Sequence, residues 1–327
     1  MEVPKVLNSA EASDRNRRRE MNSDDSKIKT FLKEIGAKRG MPDFFDRFEQ
    51  AWVNSGTVKL HLDIIEVDKS RPTVVFMPGT NAYAVLYGEF LTALAEQGYN
   101  IVGFDPRGHG RSGGARGSYT VPELMADYRA AIRYARKRFG DPVVVSGSSQ
   151  GGFTSFYIAA EGYPIAGAVC HNVADLGDPR SIELTATPWL SRLLKPIVMS
   201  NSRLLPEFKV PMTFYINLAA EPIRGLGNSK DLLYQGALLV PFIRLKGMAS
   251  LGSEPLPCPV EEIKTPVMII HGEKDVIFPQ SYIENIYNRL TCKKRLKVYE
   301  GCHHYILFDH VEKVLPDVVE WLEDICG

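Results

Sequence analysis

The sequence predicts an α/β protein with a mainly parallel central sheet, flanked by helices and interrupted by a helical cap. Short apolar segments alternate with amphipathic helical segments over residues 58–172 and again over residues 263–327. This alternation is typical of parallel strands whose crossover helices cover both faces of a sheet. Residues 173–262 lose the alternation and contain ten of the 21 prolines together with apolar helical stretches. We therefore predict a core formed by 58–172 and 263–327, and an inserted helical cap at 173–262.

Residues 1–57 are predicted to form an N-terminal extension. Residues 1 to about 26 are polar and favour a disordered tail. Acidic neighbours dilute the basic run in this tail, so we expect a solvated tail rather than an arm that binds nucleic acid. Two apolar stripes at helical spacing follow and predict amphipathic helices packed on the fold, with a lipid-facing helix as the alternative. The two stripes are Ile28, Phe31, Leu32 and Ile35, and then Phe44, Phe45, Phe48 and Trp52.

The core elements follow in order from residue 58. Each predicted strand is a short apolar or alternating run, and each predicted helix carries apolar residues three and four positions apart. Pro122 is compatible with its helix because it lies in the first turn. The predicted strands are Val58–Val67, Thr73–Met77, Asn100–Phe104, Val143–Gly147, Ile165–Cys170, Pro266–Gly272 and Arg295–Glu300. The predicted helices are Leu86–Glu96, Val121–Phe139, Phe153–Ala160 and Val311–Ile325, with Ile182–Leu194 and Leu232–Leu245 in the cap.

The composition indicates which partners and which cellular compartment to expect. The formal net charge is zero, so we expect no nucleic-acid partner. No continuous apolar segment of a signal peptide is present, and no apolar run approaches the ~20 residues of a membrane span. An odd number of cysteines without a C-x-x-C pair favours reduced thiols in a cytoplasmic protein. The five cysteines are Cys170, Cys258, Cys292, Cys302 and Cys326.

The segment from Val143 to Phe153 predicts a nucleophilic serine. A β-branched run ends in Gly147-Ser148-Ser149-Gln150-Gly151, and a helical segment follows. This is G-x-S-x-G between a strand and a helix, a context that holds the serine in a strained turn with its hydroxyl exposed. Small residues are needed on both sides of such a turn. We therefore predict Ser149 as the nucleophile and the Gln150 N–H as an oxyanion donor at the start of the helix.

A serine nucleophile needs a base, and the base needs an orienting carboxylate. In a fold of this type we expect them in the chain order serine, acid, histidine. Asp275 follows the predicted strand Pro266–Gly272, and His304 follows the last predicted strand. Both therefore lie at the carboxyl edge of the sheet, where parallel sheets place their sites. His303 competes with His304 for the role of base, and His271 is a weaker alternative inside the turn before the acid.

The second oxyanion donor is expected in the loop after the strand Thr73–Met77. That loop reads Pro78-Gly79-Thr80-Asn81, and Gly79 permits a tight turn. The Thr80 N–H is the preferred donor, with Asn81 as the second candidate.

These motifs together resemble the α/β-hydrolase superfamily, in particular its monoacylglycerol lipase, lysophospholipase and serine aminopeptidase-like branch. The resemblance covers about Val58 to Ile325. Besides the serine motif, Asp105 to Gly113 is similar to that branch's D-x-x-G-H-G-x-S-x-G loop, and His271 to Asp275 to its H-G-x-x-D acid motif. Gly301 to Asp309 is similar to its histidine motif, in which a carboxylate follows the catalytic histidine by five positions.

The resemblance carries further implications for individual residues. Asp309 matches His304 by the five-residue spacing, which favours His304 over His303 as the base. The family commonly has His-Gly where this chain has Pro78-Gly79. Proline offers no N–H, but the donor is the following residue, so the oxyanion hole is expected to survive. Arg107 and His109 are interpreted as residues that fix the loop.

The sequence thus predicts a serine hydrolase that cleaves carboxylic esters, with a hydrophobic acyl group favoured by the apolar cap. The chemistry requires no metal or organic cofactor. The same site could hydrolyse amides or thioesters, or transfer the acyl group to an acceptor other than water. A protein that keeps the triad but uses the cavity to bind a ligand without turnover is the alternative of another class.

Overall fold

The computed structural model describes residues 26–327 except Pro42, Ala186, 216–221 and 225–226. The tail predicted as disordered lies almost entirely outside the described residues. An eight-stranded sheet forms the centre, in the order β1-β2-β4-β3-β5-β6-β11-β12. The strands are β1 (Glu49–Ser55), β2 (Val58–Ile65), β3 (Thr73–Met77), β4 (Asn100–Phe104), β5 (Val143–Ser148), β6 (Gly167–His171), β7 (Lys209–Pro211), β8 (Pro222–Ile223), β9 (Gly227–Asn228), β10 (Phe242–Arg244), β11 (Val267–Gly272) and β12 (Lys294–Tyr299).

The six strands from β4 to β12 in the sheet are parallel, whereas β1 and β2 form an antiparallel edge. The predicted mainly parallel sheet is therefore confirmed. Parallel strands bring their carboxyl ends to one edge, so the loops after β3, β5, β6, β11 and β12 meet there.

Helices cover both faces of the sheet. Within the described residues, no helix is long and apolar enough to span a bilayer. The helices are α1 (26–39), α2 (Gly88–Glu96), α3 (Val121–Phe139), α4 (Gln150–Ala160), α5 (Pro188–Leu204), α6 (Met212–Tyr215), α7 (Ser229–Gln235), α8 (Leu245–Leu251), α9 (Gln280–Arg289), α10 (Ile306–Asp309) and α11 (Val311–Cys326).

Two hydrophobic clusters lie on opposite faces of the sheet. Along β3, Val75 and Met77 belong to the cluster that contains α3 and α4, whereas Val74 and Phe76 belong to the cluster that contains α2 and α11. Successive strand residues point to opposite faces, so a strand buried on both faces must be apolar throughout. This is why the core strands are continuous apolar runs in the sequence.

The apolar stripe from Phe44 to Trp52 does not form the predicted amphipathic helix. Phe44–Arg47 forms a single 3₁₀ turn, and Trp52 lies on β1. β1 pairs with β2 through a tight turn at Gly56, whose φ of 59° favours glycine. The sheet therefore begins at Glu49, inside the segment predicted as an N-terminal extension. Helix α1 carries the first stripe, with Ile28, Leu32 and Ile35 buried, as its spacing predicts.

The segment 173–262 contains short strands as well as helices. The helix predicted over Leu232–Leu245 is wrong in its second half, because α7 ends at Gln235 and β10 follows at Phe242–Arg244. Gly236 and Pro241 flank this change, and β10 gains its hydrogen bonds by pairing with β7. The helix predicted over Ile182–Leu194 is divided, because a 3₁₀ helix ends at Leu184 and α5 begins at Pro188 and continues to Leu204. The assignment of 173–262 as a separate cap stays a prediction.

Candidate active site

Ser149 lies in a strained turn between β5 and α4. Its φ is 53° and its ψ is −112°, a backbone conformation that side-chain-bearing residues rarely adopt. The turn is held by the Ser149 N–H, which donates to the His171 carbonyl at 2.8 Å. A Cβ at Gly151 would overlap the carbonyl of Met77, and a Cβ at Gly147 would overlap Gly151. The two glycines of G-x-S-x-G are therefore required by close packing of α4 against the end of β3.

Asp275 and His304 meet at the carboxyl edge of the sheet, as their positions after β11 and β12 predict. His304 Nδ1 lies 2.7 Å from Asp275 Oδ2. The other carboxylate oxygen accepts the N–H groups of Ile277 at 2.8 Å and Phe278 at 3.0 Å. Burial would raise the pKa of Asp275, but His304 and these donors outweigh it and hold that pKa well below its usual range. The carboxylate therefore stays ionised beside the imidazole.

Asn172 is a site residue that the motifs do not contain. Its Nδ2 donates to Asp275 Oδ2 at 2.8 Å, and its Oδ1 lies 2.7 Å from His271 Nδ1. Asn172 is fully buried and has a φ of 68°, which asparagine tolerates better than most residues. His271, the weaker candidate for the base, is thereby placed behind the carboxylate. Its position in the sequence could have identified it, because Asn172 directly follows the strand β6, which ends at the same sheet edge.

A second buried polar chain lies beside this pair. Ser148 Oγ lies 2.9 Å from His171 Nδ1. The His171 ring is 5.2 Å from the His304 ring. Burial, reinforced by His304, lowers the pKa of His171 well below its usual value, so this imidazole is neutral. Both Ser148 and Ser149 line the smaller cavity, and of these two serines Ser149 alone also lines the larger one.

The loop after β3 places Thr80 beside Ser149. Thr80 and Ser149 line the same two cavities. Gly79 N–H donates to the Tyr87 hydroxyl at 3.1 Å. Asn81 is buried and anchored to β10, because its Nδ2 donates to the Phe242 carbonyl at 3.0 Å. These positions favour Thr80 over Asn81 as the oxyanion donor, while Gln150 is the first residue of α4, where an N–H has no partner within the helix.

Two cavities meet at Ser149. The larger has a volume of about 270 Å³ and the smaller about 80 Å³. The larger is lined mainly by apolar side chains of α5, α8 and the loops around them. Its apolar lining includes Phe153, Leu176, Ile182, Leu184, Leu190, Leu194, Val198, Met199, Leu245, Met248, Leu251 and Phe278.

Of the described residues of the histidine motif, His304 lies at the cavities, whereas His303 and Asp309 do not line them. His304 lines the smaller cavity, and its ring stacks on Phe278 at 5.7 Å with an interplanar angle of 4°. Among the described residues, those that line the two cavities do not include His303. Asp309 Oδ1 accepts the Arg224 N–H at 2.9 Å and lies 3.4 Å from Arg39 Nη2. The carboxylate five positions after His304 therefore joins α10 to the end of β8 and to α1.

The D-x-x-G-H-G-x-S-x-G loop covers a buried charge cluster at β2. Arg107 pairs with Asp127 at 2.7 Å, and His109 Nδ1 lies 2.7 Å from the Arg107 carbonyl. Burial lowers the pKa of His109 to about 4, so its ring is neutral. His61 lies 3.4 Å from Asp105 and 3.6 Å from Asp63. These contacts fit the structural role that the sequence assigns to Arg107 and His109.

Two groups of described residues bring potential metal-ligand atoms within 4.8 Å of one another. One group is His171, Asp275 and His304, in which the carboxylate oxygens already accept four hydrogen bonds. The other is His61, Asp63 and Asp105, where Arg111 lies 3.8 Å from Asp63. In both groups hydrogen bonds or ion pairs account for the charges, so the donor sets do not require a metal.

Comparisons with known proteins identify a matching family and several relatives. The family model described as "Serine aminopeptidase, S33" matches residues 68–311. A monoacylglycerol lipase of Mycolicibacterium smegmatis is 25% identical over 282 residues, covering 84% of this chain and 97% of the lipase. A non-heme haloperoxidase of Rhodococcus erythropolis is 24% identical over 250 residues, covering 71% of this chain and 85% of the relative.

Solved structures show the same fold. A soluble variant of monoglyceride lipase from Saccharomyces cerevisiae, solved with a substrate analogue, superimposes with a TM-score of 0.70. It is 18% identical in sequence, and the superposition covers 86% of this chain and 95% of the lipase chain.

Proposed function

Because the chain belongs to the serine aminopeptidase S33 family of α/β-hydrolases, we propose that it is a serine hydrolase that cleaves carboxylic esters with a hydrophobic acyl group. The observation that supports this proposal most directly is the geometry at one sheet edge. Ser149, in its strained turn, lines the same cavity as His304, whose imidazole is hydrogen-bonded to the buried Asp275 at 2.7 Å. The name of one relative, a monoacylglycerol lipase, agrees with this class of reaction.

The proposed reaction proceeds in two acyl-transfer steps. Ser149 Oγ bonds to the ester carbonyl carbon while His304 takes its proton, and Asp275 stabilises the resulting imidazolium. The carbon–oxygen bond to the alcohol then breaks, and His304 returns the proton to the leaving oxygen. Water repeats the sequence on the acyl-enzyme, which releases the acid and restores Ser149.

The oxyanion of each tetrahedral intermediate is proposed to accept the N–H groups of Gln150 and Thr80. Each such donor contributes on the order of 3 kcal/mol to transition-state stabilisation. Gln150 begins α4, so the positive end of the helix dipole adds to this stabilisation.

The acyl group is proposed to occupy the larger cavity. Its walls are mainly aliphatic and aromatic, and Ser149 lies at its margin. Burial of each methylene in such a cavity contributes about 0.8 kcal/mol. We therefore expect the specificity constant to rise with acyl length until the cavity is filled.

A serine-directed phosphonate probe and an aryl ester test the proposal together. The native chain should be labelled once per molecule and should turn over the ester many times. Ser149→Ala should lose both properties and keep its unfolding midpoint, while Ser148→Ala should still be labelled. Labelling without turnover would support a ligand-binding protein instead, and labelling of Ser149→Ala would refute the assignment of the nucleophile.

A further inference from the structure

The two cavities that meet at Ser149 differ in size and in their relation to His304. The larger, of about 270 Å³, is more than three times the volume of the smaller, of about 80 Å³. Thr80, Ser149 and Ile277 line both. Of the proposed base and nucleophile, the larger cavity contacts only Ser149, whereas the smaller contacts both Ser149 and His304.

Because His304 lines only the smaller cavity, its position determines which end of the ester lies in which cavity. His304 must deliver its proton to the oxygen of the departing alcohol, so that oxygen has to lie within hydrogen-bond reach of the imidazole. The alcohol therefore extends into the cavity that His304 lines, and the acyl chain extends into the other cavity. This assignment rests on the proposed function, because it uses His304 as the proton donor.

The walls of the smaller cavity are mainly apolar, and its polar side chains besides His304 are the hydroxyl-bearing Thr80, Tyr87, Ser148, Ser149 and Tyr305. The cap contributes Leu232, Leu233 and Leu239, and the core contributes Leu86 and Phe308. No acidic, basic or amide side chain lines this cavity among the described residues, apart from the imidazole of His304. The alcohol thus meets an aliphatic surface on the cap side.

Two of these hydroxyl groups, those of Tyr87 and Ser148, have hydrogen-bond partners within the protein. The Tyr87 hydroxyl accepts the Gly79 N–H at 3.1 Å. Ser148 Oγ in turn lies 2.9 Å from His171 Nδ1. A polyhydroxylated alcohol would have to give up its water shell against leucine side chains, and an unpaired buried hydroxyl is unfavourable.

We propose that the leaving group of the preferred substrate is a small apolar alcohol, and that the cavity formed by Leu232, Leu233, Leu239, Leu86 and Phe308 selects it. The enzyme thereby discriminates against esters of glycerol. This specificity differs from the one printed in the name of the monoacylglycerol lipase relative.

Two pairs of substrates test the proposal with the full-length protein. Propyl hexanoate and hexyl propanoate are isomers that exchange the long and short groups across the ester, so they test the orientation. Propyl hexanoate and 1-hexanoylglycerol share an acyl group and a three-carbon alcohol skeleton, so they test the two extra hydroxyls. We expect propyl hexanoate to have a specificity constant at least about tenfold above either partner, which corresponds to ~1.4 kcal/mol.

Two variants test which of the two cavities produces the preference for the alcohol. Leu239→Asn, close to isosteric, should reduce the preference for the propyl ester over the glyceryl ester by about tenfold, because it offers the hydroxyls a partner. Leu190→Asn makes the same change in the larger cavity and should leave that preference unchanged. The acyl-length profile should be retained in Leu239→Asn and altered in Leu190→Asn.

The possible outcomes distinguish a failure of this inference from a failure of the proposed function. Equal or better hydrolysis of 1-hexanoylglycerol by the native chain would overturn the apolar leaving-group site. Preference for hexyl propanoate would overturn the orientation. If Ser149→Ala abolished hydrolysis in either case, the proposed function would stand. Loss of native activity on every ester would instead refute the function.

Discussion

Replacing Asn172 by alanine should disable the acid–base pair without touching Ser149 or His304. The side chain bridges Asp275 Oδ2 and His271 Nδ1 at 2.8 Å and 2.7 Å, and it is fully buried. The change removes one of the four hydrogen bonds to the carboxylate. A hydrogen bond to a charged group contributes about 1.5–3 kcal/mol, and the orphaned His271 nitrogen costs about 1–3 kcal/mol more. Alanine at a φ of 68° adds about 1 kcal/mol of backbone strain.

We therefore expect Asn172→Ala to lower the free energy of unfolding by ~3.5–7 kcal/mol in urea titrations. Asn172→Gly should recover about 1 kcal/mol of this, because glycine accepts the left-handed backbone. The matched control is Asn201→Ala on α5, whose side chain donates to Ile197 at the surface and should cost less than about 0.5 kcal/mol.

The effect on catalysis should appear in kcat. With Asp275 held by fewer donors, the imidazole of His304 loses its fixed orientation, and we expect a ten- to hundredfold lower kcat. Asn172→Asp should be the most informative variant, because it places a second carboxyl group beside Asp275. The pair should share a proton, so activity and stability should fall further as the pH rises. Native-like stability and kcat in Asn172→Ala would refute this account of the network.

Three further predictions concern the base, the acyl cavity and the buried charge cluster. His304→Ala should lower kcat on the order of 10⁶-fold in ester assays, and a larger loss in His303→Ala would reverse the assignment of the base. Val198→Trp should fill the larger cavity and lower the specificity constant for long acyl esters about tenfold, with short esters spared; a uniform loss over all lengths would contradict the acyl assignment. Burial would lower the pKa of His61, but its two carboxylate neighbours raise it. Its stabilising charge is complete below its unfolded pKa of ~6.5 and is lost as pH rises through the higher folded pKa. The stability difference between the native chain and His61→Gln should therefore shrink from pH 6 to pH 9, and a constant difference would refute a charged His61.

Ser149 and the strands around it could be predicted from the sequence because their signals are local. A β-branched run, two glycines and the start of a helix define the turn within a few residues. Strands buried on both faces are apolar throughout, so β3, β5 and β11 could be located to within a residue of their ends. Asp275 and His304 were found because parallel strands bring the residues that follow them to one edge.

The tertiary structure decided what depends on contacts distant in the chain. Trp52 lies on a strand because β1 pairs with β2, and an apolar spacing of three and four residues in a short segment does not exclude a strand. Asn172 became part of the site because β6 lies beside β11, which brings its amide to Asp275. Leu239 lines the cavity with His304 because the loop between α7 and β10 folds back over this edge. The sequence by itself determined the class of fold, and it predicted the nucleophile and the order of the site residues. The polar support of the carboxylate and the walls of the two cavities arise only when the strands and the segment 173–262 pack together, because hydrogen-bond partners and cavity shape are properties of assembled surfaces.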